Sequence, residues 1–173
     1  MRYQVLFLMP ALLFASAATA EELPRALKPV IVWTGTYSKE ADQSFARCCS
    51  QREWETCWNK HIAIDEKADK QPCPEIDFDS YMTIVFFKGQ SDHGLTINSI
   101  LEEKDCIRVR YRPNSYQTGE LRPGEPVGRA QNYSFIVFAK SKKPVVLEED
   151  VHFLIGDPPV WKQQAKLPAV DDK

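Results

Sequence analysis

Apolar residues run without a break from Met82 to Phe87, six positions that read as a strand buried on both faces. Thr83, Val85 and the Phe86-Phe87 pair favour a strand over a short buried helix. Beyond it the pattern changes to alternation. Leu95, Ile97, Val109 and Tyr111 fall on one face of two further strands joined near Glu102 to Lys104, which predicts a hairpin. In the second of these, Ile107, Val109 and Tyr111 point inward and Arg108, Arg110 and Arg112 outward. Tyr133 to Ala139 is again apolar on both faces. Val145 to Leu147 forms a short strand after a Lys140 to Lys143 turn, and Val151 to Ile155 adds an edge strand. Upstream, Val30 to Tyr37 is rich in β-branched and aromatic residues, Ser38 to Ser44 is its turn, and Phe45 to Cys49 returns. Trp33 and Tyr37 are expected to pack in the sheet.

Helical spacing occurs in one place. Ser50 and Glu53 make a capping box, and Trp54, Cys57, Trp58 and His61 then recur on one face. That face is expected to lie against the sheet, with His61 closing the helix, where a cation is favoured. The predicted fold is therefore mainly β: an antiparallel β-sandwich or partly open barrel with one short α-helix packed on it by Trp54 and Trp58.

The first twenty residues add an address. Arg2, an apolar run from Val5 to Phe14 and Ala18-Thr19-Ala20 before Glu21 have the three parts of a signal peptide cleaved after Ala20. The expected product is periplasmic or secreted, without membrane insertion once the signal is removed. Residues 21–156 form one domain in this reading. Residues 157–173, with Pro158-Pro159, Pro168 and a charged end, form a disordered tail. The segment from Glu21 to Lys28 is a loosely held N-terminus.

A formal net charge of −2 argues against nucleic acid as a partner, since a binder of phosphates is usually basic. Five cysteines on an exported chain point to disulfides, and the odd count leaves one thiol free or linked to a second chain in a dimer. Cys57, Cys73 and Cys106 are the candidates: Cys73, held between Pro72 and Pro74, would tie the 65–74 loop to the helix through Cys57 or to the sheet through Cys106. No C-x-x-C or H-x-x-x-H pair suggests a metal, and no cofactor is expected.

Two loops hold the remaining candidates. Gly89 and Gly94 frame a polar segment containing Asp92 and His93, where glycine permits positive φ. Pro113 to Gln131 is a long loop without periodicity, and its Arg122 and Arg129 would extend the surface of Arg108, Arg110 and Arg112. That arginine stripe reads as the solvated face of a sheet or as a docking surface for an acidic partner. The sequence has no glycine-rich phosphate loop, no Gly-x-Ser-x-Gly elbow and no paired carboxylates in a recognisable catalytic setting, which argues against the common hydrolases. The enzymatic alternative is an envelope hydrolase or metal-dependent enzyme built on Asp92, His93 and His61.

Trp54 and Trp58, Ile76-Asp77-Phe78 before the central strand, Gly89 and Gly94 about a loop, and Tyr133-Ser134-Phe135-Ile136-Val137 together give a region, about Phe45 to Leu147, that resembles the C-terminal domain of the PrcB family. These are secreted bacterial proteins named for a subunit of a protease complex. Where that family commonly has Gly-Gly-Tyr, this chain has His93-Gly94-Leu95, without the first glycine and the aromatic ring. The resemblance implies a non-enzymatic protein-binding module that stabilises or modulates a partner protein such as a protease. The expected contact surface is the Gly89 to Gly94 loop, the arginine stripe and the Pro113 to Gln131 loop. A structural envelope protein, its odd cysteine linking two chains, is the third reading.

Overall fold

A computed structural model describes residues 23–35, 38–61, 72–90, 95–114, 131–152 and 157–170. The elements in chain order are β1 (Arg25–Ala26), β2 (Ile31–Gly35), β3 (Ser44–Cys48), α1 (Gln51–His61), β4 (Tyr81–Gln90), β5 (Leu95–Glu102), β6 (Ile107–Pro113), β7 (Gln131–Ala139), β8 (Val145–Asp150) and β9 (Trp161–Leu167). They form two sheets, one in the order β2-β7-β4-β3 and the other β1-β5-β6-β8-β9. Among the described residues the fold is a mainly β sandwich with a single helix, and it does not close into a barrel.

β4 shows why its six apolar residues carry no alternation. Met82, Ile84 and Phe86, with Ile136 and Phe138 of the neighbouring β7, face the other sheet, where they meet Ile107, Val109, Tyr111, Val145 and Leu147 in the inter-sheet core. Val85 and Phe87 face the opposite way and pack with Phe135 beneath Trp54 and Trp58 of α1. β4 and its neighbour β7 thus lie between the helix and the second sheet, and both strands need apolar residues on both faces.

The helix begins as its sequence dictates. Ser50 Oγ accepts from the Glu53 amide at 3.3 Å, and Glu53 Oε2 reaches back to accept from the Cys49 amide at 2.8 Å. Trp54 is fully buried, and its indole donates to the Pro74 carbonyl at 2.9 Å, so the segment before β4 is tied to α1. Trp33 of β2 stacks on Trp54 at 5.8 Å between ring centroids, in the sheet packing expected of it.

Several expectations need correction. The chain after residue 157 is not a tail: β9 pairs antiparallel with β8 from Asp150↔Trp161 to Val145↔Leu167, so the domain runs past 156. Ala165 and Leu167 pack on the inter-sheet core, and the prolines mark only the turn into the strand. The N-terminal segment is likewise held, since β1 pairs with β5 and the Leu27 amide donates to the Ile100 carbonyl at 2.8 Å. β8 pairs with β6 in parallel, because the chain crosses to the other sheet through β7 before returning beside β6. Val151 and His152 are outside any strand. Residues 1–20, Tyr37, most of the 65–74 loop, Ser91 to Gly94, 115–130 and 153–156 lie outside the described residues.

Candidate functional site

Gly89 was expected in an exposed loop. It sits inside β4, buried, at a bulge where pairing with β7 slips between Phe87 and Gly89. Its φ is 75°, and a Cβ there would come within 2.8 Å of the Ala41 carbonyl oxygen and the Asp42 carbonyl carbon. Glycine is needed for a close backbone approach and not for contact with a partner. Asp92, His93 and Gly94 lie outside the described residues, as do Arg122 and Arg129. The segments holding them join β4 to β5 and β6 to β7; Gln90 pairs with Gln131 and Leu95 with Pro113, so both connections leave the same end of the sandwich.

Beneath that end is a polar cluster between the sheets. Lys88 Nζ lies 3.3 Å from Glu149 Oε1, the Tyr111 hydroxyl donates to Glu149 Oε2 at 3.3 Å, and Gln43 donates to the Tyr111 oxygen at 3.5 Å. Burial and the Glu149 carboxylate push the Tyr111 phenol well above its usual range. Every member has a partner, so the cluster reads as a satisfied interior network.

The arginine stripe faces outward as the alternation requires, but its charge is largely answered within the sheet. Arg108 donates to both oxygens of Glu103, at 2.7 and 2.8 Å, and also pairs with Glu148. Arg110 donates to Glu148 at 2.9 Å and lies over the Trp161 ring, 5.2 Å from its centroid. The Glu103 side chain, followed by Glu148, holds the Arg108 guanidinium above its ordinary value, and Arg108 in turn depresses the Glu103 carboxyl. Arg112 is exposed, and no carboxylate pairs with it among the described residues. Glu103 comes from the turn between β5 and β6, Glu148 from β8 and Trp161 from β9, which periodicity within β6 cannot reveal.

The cysteines divide between two layers, and all five are free thiols. Cys57 and Cys73 pack together at the helix with Trp54, Trp58 and the buried Cys48. Cys106 lies in the other sheet, just before β6, where its thiol donates to Glu103 at 3.3 Å. A Cys73–Cys106 bridge would have to pass through the sandwich; Cys57 is the nearer partner for Cys73.

His61 ends α1 and packs tilted against Phe87, with 4.5 Å between ring centroids and 43° between the ring planes. Its Nδ1 lies 3.5 Å from Glu40 Oε2 without a hydrogen bond, and burial outweighs Glu40 to hold the imidazole below its ordinary value. Among the described residues no group of three or more His, Cys, Asp and Glu is arranged to hold a metal ion.

A surface that the alternation did not single out is the open side of the sandwich at β2. This strand pairs with β7 on one side only, and no described strand covers its other edge. Val30, Ile31 and Val32 are 56%, 39% and 44% exposed. Beside them a cavity of about 360 Å³ opens between the sheets, walled by apolar residues such as Val32, Ile97 and Ile100 and by the polar Thr34, Asn98, Ser99 and Ser134. The sequence signal was present: β2 reads Ile-Val-Trp-Thr-Gly, without the charge or proline that normally blunts an edge.

Comparison of the chain with protein-family models, with curated proteins and with solved structures finds no match.

Proposed function

We propose that this chain is an exported, non-enzymatic protein-binding module, and that it takes up an extended segment of a partner protein along the open edge of β2. The observation that carries the reading is an uncharged, apolar strand edge lying directly beside an uncharged, mainly apolar groove. An added strand would satisfy the free backbone groups of β2, and its alternate side chains would enter the groove between the sheets. Backbone pairing supplies affinity in such a mode, and the groove supplies selectivity for aliphatic side chains at every second position. The internal pairing of Arg108 and Arg110 supports this edge over the arginine face. A protease is the partner class that the resemblance to the PrcB family implies.

The test is a crosslinking pull-down of the mature protein from its native envelope beside a Val32→Asp variant, with far-UV circular dichroism of both. Val32 is 44% exposed, so the variant keeps its fold, while a carboxylate in the groove removes apolar contact and blunts the edge. A protein captured by the wild type and lost with Val32→Asp supports the reading. Equal capture by both chains contradicts it.

A further inference from the structure

A second cavity, of about 590 Å³, lies between β3 and α1. Its walls include Cys48, the last residue of β3, and Cys57, in the second turn of α1. Cys48 is 3% exposed and Cys57 half-buried. Both belong to the cluster around Trp54, Trp58 and Phe135, close enough for each thiol to bear on the titration of the other. One sulfur is therefore reachable from solvent and the other sits behind it.

The surroundings make the two thiols unequal. The neighbouring Cys48, opposed by burial and Glu40 and helped by Lys60, lowers the Cys57 thiol below its ordinary value, while Cys57 and burial together push Cys48 well above its own. The neighbouring thiols are not poised: burial raises Cys49, which packs on the inter-sheet core, and Cys73 is pushed up to about 11 by burial, then by Glu55 and Cys57. Arg52 and Lys60 add positive charge to the cavity wall. Of the acids there, Glu53 accepts from the Cys49 amide and Glu40 faces His61.

We propose that Cys48 and Cys57 form a dithiol–disulfide exchange site that reacts with the disulfide of a small, carboxylate-bearing thiol of the glutathione class. The Cys57 thiolate attacks one sulfur of the small disulfide, whose S–S bond breaks and expels one thiolate. A mixed disulfide remains on Cys57. Cys48 gives its proton to the expelled thiolate and attacks the Cys57 sulfur, expelling the second small thiolate, which takes a proton from water. The protein pair loses two electrons and the small disulfide gains them. Arg52 and Lys60 receive the carboxylates of the incoming molecule, and the reverse reaction restores the dithiol.

The test treats the reduced mature chain, in a Cys49→Ser background, with oxidised glutathione, followed by acid quench, alkylation and tryptic mapping. Cleavage after Arg47, Arg52 and Lys60 separates Cys48 from Cys57, so their bond appears as two linked peptides. The expected result is that linkage, with Cys73 and Cys106 alkylated as free thiols and Cys57 reacting at least about tenfold faster than Cys73. Cys48→Ser should stop at one glutathione on Cys57. Cys57→Ser, a change at a half-buried helix position, should keep the far-UV spectrum and leave Cys48 unmodified. Glutathione retained on Cys57 while Cys48 is present, a Cys57–Cys73 linkage, or Cys57 reacting no faster than Cys73 would each overturn the proposal.

Discussion

Trp54 joins α1, β2 and the segment before β4, and two substitutions separate its contributions. The side chain is fully buried, and removing an aromatic of this size from water covers about 150–250 Å², or ~4–6 kcal/mol at ~25 cal/mol per Å² as an upper bound. Measured large-to-small changes of this kind cost about 3–5 kcal/mol, so Trp54→Ala should cost ~4 kcal/mol. Trp54→Phe keeps most of the ring contact with Trp33, Trp58 and Phe135 but removes the donor to the Pro74 carbonyl. Pro74 is only half-buried, so the orphaned acceptor costs ~1 kcal/mol, and the smaller ring about as much again. The assay is urea unfolding followed by far-UV circular dichroism under reducing conditions. With a slope of ~2 kcal/mol per M, the midpoint should fall by ~2 M for alanine and ~1 M for phenylalanine. An alanine shift below ~0.5 M would refute the docking of α1 by this residue. Equal shifts for the two variants would refute the separate contribution of the indole hydrogen bond.

Gly89→Ala forces a side chain into φ 75° and within 2.8 Å of the backbone at Ala41 and Asp42. The expected loss is about 2–4 kcal/mol, read as a fall in Tm of roughly 5–12 °C; a change within ~1 °C would show that the bulge relaxes freely. The Glu103 carboxyl is depressed chiefly by its bonds to Arg108, so it contributes stability above the ordinary glutamate range that is lost as pH falls through its lower folded value. Urea midpoints taken from pH 7 to pH 3 should therefore fall more steeply for wild type than for Glu103→Gln, and parallel curves would remove Glu103 from the account.

The features legible from sequence were those set by near neighbours. The continuous run in β4 and β7 announced strands covered on both faces, and Ser50, Glu53 and the Trp54-Trp58 spacing announced the helix and its buried side. Pairing partners lay beyond that range. Nothing in the alternation of β6 indicates that Glu148 of β8 sits between Arg108 and Arg110, and the parallel pairing of β6 with β8 depends on a chain path through the other sheet. β9 was hidden because Trp161-Lys-Gln-Gln-Ala-Lys-Leu is polar at most of its exposed positions and follows a Pro-Pro turn; only Ala165 and Leu167 reach the core. Gly89 signalled a positive φ correctly, yet its bulge extends β4 to Gln90. The β2 edge was readable as a strand, but which strands stand at a sheet's edge is a property of topology. The proximity of Cys48 to Cys57 likewise needs the turn from β3 into α1 to be known.

Whether the β2 edge receives a partner's strand can be read by site-specific photocrosslinking. A photoreactive residue is placed at Ile31, on the open edge, or at Arg112, on the exposed end of the arginine stripe, and the envelope is irradiated with the protein in place. A discrete crosslinked partner at position 31, abolished by Val32→Asp and absent at position 112, is the expected result. A partner captured at position 112 and not at 31 would move the binding site to the arginine face and contradict the strand-addition account.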